Sequence, residues 1–116
     1  MEAFREAEEY CALGMARTPG APELPWLAGW CCFQRGELDP SIAWSKIAIA
    51  VASEKNDLAM SFRHVPAWYE APYDVLRYAF RKQGNQLEAD KAEQLFIKAM
   101  SNRIAYQESR TLGNAR

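Results

Sequence analysis

The feature that most restricts what this 116-residue chain can fold into is a degenerate internal repeat. Trp30, Gly36, Ala43, Ile47 and Ala50 are echoed by Tyr78, Gly84, Ala92, Phe96 and Ala99. The gaps run 6, 7, 4, 3 in the first set and 6, 8, 4, 3 in the second, which places the one-residue difference in the turn after each glycine. An aromatic, a glycine, then small and apolar residues three and four apart describe two antiparallel helices joined by a tight turn. Such a hairpin hides its apolar stripe only against neighbouring helices. Two copies therefore predict an all-α chain of five or six helices, packed as a short array of antiparallel hairpins or as an irregular bundle.

Composition narrows the partners. Hydrophobic residues make up 49% and charged residues 25%, an ordinary globular balance at a length that buries a core without metal or disulfide staples. A single helical domain is expected over residues 1–108, followed by a polar, frayed tail at 109–116. Acidic and basic residues number 15 and 14, so no net field draws the chain to nucleic acid or to anionic lipid. Glu2 and Glu6 stand where an export signal carries basic residues, and the longest apolar run, 47–52, falls far short of the roughly 20 residues a membrane span needs. Three cysteines, two of them the vicinal Cys31 and Cys32, do not make a disulfide framework, and a cytoplasmic location is expected.

Along the chain, Phe4, Ala7, Cys11 and Met15 predict a helix over 2–17, and Pro19, Gly20 and Pro22 end it. A second helix is expected from near Pro25 to Gly36. Asp39 and Pro40 read as N-cap and first residue of a third, with Ile42, Ala43, Ile47, Ala50 and Val51 as its buried stripe. A short helix is expected over 58–64. Pro72 opens the next, with Tyr73, Leu76, Ala79 and Phe80 inward and Gly84 beyond its end. Asn85 or a neighbour caps a long last helix whose stripe is Leu87, Ala92, Leu95, Phe96, Ala99, Met100 and Ile104.

The second copy, through Tyr73, Leu76, Phe80, Gly84, Ala92, Phe96 and Ala99, resembles a tetratricopeptide repeat (TPR) if three residues are inserted in its turn. The first, through Pro25, Ala28, Gly29, Cys32, Gly36, Ala43, Ile47 and Ala50, is similar with two inserted. The copies lie 48 or 49 residues apart where that family repeats at 34, and no proline closes either unit. The resemblance implies a concave surface lined by the first helix of each unit: Trp26, Trp30, Phe33 and Gln34, then Asp74, Tyr78, Arg81 and Lys82. It implies an adaptor or chaperone that binds a protein or peptide without a cofactor. Packing alone also accounts for Trp26 and Trp30, as core residues.

The stretch 62–72 combines three aromatics with two prolines outside a clear helix. Its Trp68 and Tyr69 either plug the groove between the units or present aromatic anchors to a partner. Arg77, Arg81 and Lys82 form a basic patch with Tyr78, suited to an acidic peptide or simply solvated. Catalysis would have to draw on His64, the one histidine, with Cys11, Cys31 or Cys32, and nothing in the sequence brings them together. With no CxxC pair there is no metal motif, and Glu88, Asp90 and Glu93 suit solvated helix faces. The expectation is a non-enzymatic interaction module, homodimerisation left open. The alternatives are an immunity or inhibitor protein that neutralises a toxin or enzyme partner, through an acidic patch of Glu2, Glu6, Glu8 and Glu9, and a small enzyme.

Overall fold

The computed structural model describes residues 2–17, 20–53 and 64–114. Among them are five α-helices and no strand: α1 (Glu2–Arg17), α2 (Glu23–Gln34), α3 (Leu38–Ala52), α4 (Ala71–Lys82) and α5 (Gln86–Asn114). A 3₁₀ turn, Val65–Trp68, precedes α4. The short helix expected over 58–64 falls outside the described residues except for His64, whose backbone is extended. No helix among the described residues is long and apolar enough to cross a membrane.

Each helix packs on the next in sequence from α1 to α4, α4 lies between α3 and α5, and α2 also touches α4. The molecule measures 47 × 34 × 20 Å. Its thin dimension is that of two helices at about 10 Å each, so the chain is a two-layer array rather than a bundle around one axis.

Two hairpins, α2–α3 and α4–α5, share one turn. Gly36 and Gly84 both have positive φ, 78° and 79°, the left-handed conformation in which only glycine is unstrained. The amide of Glu37 donates to the carbonyl of Cys32 at 2.9 Å and that of Gly36 to Phe33 at 3.0 Å. Forty-eight residues on, Asn85 donates to Phe80 at 2.9 Å and Gly84 to Arg81 at 3.1 Å. This crossed pair closes a helix on a glycine and satisfies its last carbonyls. The turns are equal in length, so the expected one-residue difference is absent.

The true register follows from that equality. Five residues beyond each glycine, Ser41 and Ala89 are fully buried. Two serines and a different pair of alanines make the first stripe: α3 buries Ser41, Ile42, Ser45, Ala48 and Ala52, whereas Ala43, Ile47 and Ala50 face outward. Small side chains are needed there because α2 and α3 nearly touch. A Cβ on Gly29 would lie 2.9 Å from Ser45 Oγ and 3.1 Å from the Ser41 carbonyl. Ser41 Oγ donates to the Gly29 carbonyl at 2.8 Å, so its polarity is satisfied inside the interface.

The larger groups lie where the second hairpin meets the first: Leu76, Ala79 and Phe80 of α4, Ala89 and Ala92 of α5 and Ile42 of α3 form one core, with Phe33, Leu38, Ile49 and Tyr73 against it. In α5 the expected stripe holds at Ala92 and Ala99, but Leu87, Leu95 and Ile104 are 66%, 47% and 44% exposed. Among the described residues α4 and the 3₁₀ turn make the main contacts with that helix, so one side of it carries most of the packing. It runs on to Asn114, through much of the stretch expected as a frayed tail. Asn85 caps it as expected, its side-chain oxygen accepting from the Glu88 amide at 3.3 Å. The third helix departs from expectation: it starts at Leu38 with Glu37 at the cap, and Asp39 accepts from Gln83 instead. The Glu37 carbonyl accepts the first bond of the helix, from the Ser41 amide at 3.1 Å, which sets the start at Leu38.

Candidate functional site

The first helices of the two hairpins present adjoining outward faces. On α2, Leu27, Trp30 and Gln34 are spaced three and four apart and all exposed, Trp30 by 39%. Leu27 was not singled out from sequence, although its spacing to Trp30 and Gln34 carries the signal. On α4, Tyr78 is 45% exposed, with Arg81 and Lys82 beside it. Phe33 and Lys82 join the helices, the ammonium lying 4.8 Å over the phenyl ring. The Trp30 ring meets Phe4 of α1 edge-on at 5.6 Å, which fixes one side of the indole and leaves the other to solvent.

Charge on the α4 side is organised around Tyr78. The Arg77 guanidinium lies 4.9 Å from its ring and that of Arg81 5.7 Å. Arg77 pairs with Asp74 at 2.7 Å and with Glu93 at 3.1 Å, and Arg81 shares Glu93. The hydrogen bonds from Arg81 and Arg77 hold the Glu93 carboxyl below the usual carboxylate value. Three cations thus face two carboxylates here, leaving one positive charge in excess.

The remaining anticipated residues lie elsewhere. Trp26 is half-buried and stacks on His64 at 5.3 Å, so it belongs to the end of α2 rather than to the strip through Trp30. Trp68 is 2% exposed and donates its indole N–H to Glu23 at 2.9 Å. It fills the space between the hairpins, as one of its two expected roles requires, and in this conformation offers no surface. Tyr69 is half-buried with its ring 6.0 Å from Tyr106. Its neighbours Phe62 and Arg63 lie outside the described residues.

A second polar cluster ties α1 to the first hairpin. Glu8 accepts from Arg35 at 2.6 Å, from the Trp44 indole at 2.8 Å and from the Cys32 thiol at 3.2 Å, and Arg35 also bonds Glu37. Burial alone would raise the Glu8 pKa, but the bonds from Arg35, Trp44 and Cys32 outweigh it and bring the value below normal. Glu8 therefore turns inward and leaves the acidic patch expected of helix one. Possible ligand atoms of Glu8, Cys32 and Glu37 lie within 4.8 Å of one another. Arg35 already occupies the cation's role among them, which makes the group a structural ion pair. Burial and the bond to Glu8 push the Cys32 thiol up to about 12, and burial raises Cys11 and Cys31 as well. All three cysteines are buried, uncharged thiols, the opposite of activated nucleophiles.

Set against protein-family models, curated proteins and solved structures, the chain matches none.

Proposed function

We propose that this chain is a small, non-enzymatic protein-interaction module, TPR-like in having two stacked hairpins, that binds an acidic polypeptide across the outward faces of α2 and α4. The observation that carries the reading is the run Trp30, Phe33, Lys82, Tyr78, which crosses from one hairpin to the other through the Phe33–Lys82 contact. Trp and Tyr at half exposure, flanked by Arg and Lys, are the residue types that dominate binding energy at interfaces. Adaptor or chaperone is the role that fits an exposed aromatic and cationic helix face of this kind. The cytoplasm is the compartment that fits three free, buried thiols.

The test is affinity purification of the chain from its native lysate, with complex mass by light scattering, beside a Trp30→Ala/Tyr78→Ala variant. Both side chains are less than half exposed, so the melting temperature of the variant is measured alongside to separate lost binding from lost folding. A stoichiometric partner held by the parent and lost at least tenfold by the variant supports the proposal. A partner that both bind equally would move the site elsewhere.

A further inference from the structure

Between the two hairpins lies a cavity of about 160 Å³ that the protein-binding face does not use. It exists because α3 and α5 flank α4 without packing on each other along this stretch. Trp68 fills part of the gap, and the wall residues on either side, Ala52 and Ala99, are too short to fill the rest. Tyr69 and Tyr73 complete an aromatic lining, and Asn102 adds a polar group beside Ser53, whose hydroxyl donates to the Ala50 carbonyl. Among the described residues no ionised side chain lines the cavity.

The geometry points to a binding site for a small, neutral, single-ring aromatic molecule with one hydrogen-bonding group, of the phenol class. Size sets the first limit: the recess is half open, and its inner space of about 160 Å³ receives one benzene-sized ring. Chemistry sets the second. A carboxylate, phosphate or ammonium entering here would lose hydration without meeting a counter-charge, whereas a ring is received by Trp68, Tyr69 and Tyr73 in edge or offset contact. Asn102 offers both a donor and an acceptor to a single hydroxyl. The walls come from α3, the 3₁₀ turn, α4 and α5, so ligand would brace the junction between the hairpins rather than compete with a partner on α2 and α4.

The experiment is a titration of the full chain with p-cresol by heteronuclear NMR, read at the Trp68 indole N–H and the Ala52 and Ala99 methyl groups, with p-hydroxybenzoate as the charged comparison. Saturable shifts of these signals, with nuclear Overhauser contacts from the cresol ring to the Ala99 methyl, are expected for p-cresol, and at least tenfold weaker binding for p-hydroxybenzoate. An Ala99→Leu variant, which fills the cavity, should bind p-cresol at least tenfold more weakly. No saturable shift at these signals, contacts to another part of the protein, or equal binding of the carboxylate would overturn the assignment. The contacts from ligand to wild-type methyl groups decide the matter even if the leucine variant does not fold.

Discussion

The two hairpins have the same turn and opposite interiors. At matched positions 48 residues apart, the first carries Gly29, Cys32, Ser41 and Ser45 where the second carries Arg77, Phe80, Ala89 and Glu93. The first brings its backbones almost into contact and ties the result to α1 with the Glu8 ion pairs. The second sets Phe80 and Leu76 into a core shared with Ile42 of α3 and lays Arg77 and Glu93 along the surface. A turn geometry set by one glycine thus accepts either close approach of small residues or filling by large ones, and function can be placed on whichever side the packing leaves free.

Removing the large side chain of the second strategy should have the largest effect. Phe80 is 8% exposed within the main cluster. Phe80→Ala is expected to cost about 3–5 kcal/mol in urea denaturation, the range for truncating a buried phenylalanine. Its counterpart Cys32→Ala removes a single sulfur atom and its bond to Glu8, and should cost only about 1 kcal/mol. Equal losses would show that the hairpins are packed alike after all.

The reverse change probes the first strategy. Gly29→Leu forces a side chain against Ser45 Oγ and the Ser41 carbonyl, and overpacking of this kind should cost about 3 kcal/mol. Arg77→Leu, at the matched position, meets no such approach. It should cost well under half as much in the same assay, chiefly by releasing Asp74 and Glu93.

The ion pairs are expected to differ with pH in amount, not direction. The folded-state pKa of Glu8 is depressed, so its contribution is fully present above the ordinary value of 4.5 and is lost as pH falls through the folded-state value. Glu8→Gln should be less stable than the parent at neutral pH by about 2 kcal/mol, and the two curves should converge on acidification. Glu93 is depressed in the same direction but lies at the surface, so Glu93→Gln should give a much smaller difference that high salt erases. A Glu8→Gln curve parallel to the parent down to pH 2 would remove Glu8 from the account of α1 docking.

What was legible in the sequence followed from local rules. Gly36 and Gly84 announced themselves because a left-handed C′ position admits little else, and Phe4, Cys11 and Met15 gave α1 because amphipathic spacing is a local property. The first repeat was misaligned because serine reads as polar. Nothing nearby in sequence shows that the Ser41 hydroxyl ends on the Gly29 carbonyl of another helix. Trp68 shows the same limit at longer range. Its two expected roles could not be separated without Glu23, 45 residues away, which takes its indole proton. On the candidate face, Trp30 and Tyr78 were readable from the repeat, but the bridge between the helices rests on Phe33 meeting Lys82, which only packing sets.

The smallest effects test the shared element itself. Gly36→Ala and Gly84→Ala place a methyl where nothing lies within 4 Å, so neither creates a clash, and each pays only for holding an L-residue at φ 78° or 79°. That conformational cost is about 1–2 kcal/mol, and with matching hydrogen bonds it should be the same at both sites within a few tenths. D-alanine, introduced at either position by chemical synthesis, favours positive φ and should restore most of the loss. A much larger loss at Gly36 would show that the first turn also sets the aim of Arg35 toward Glu8, because Arg35 is the residue just before it and Glu37, just after, accepts from the same guanidinium. In that case Gly36→Ala combined with Glu8→Gln would cost less than the sum of the two single changes, whereas Gly84→Ala combined with Glu8→Gln, two changes in separate hairpins, would remain additive.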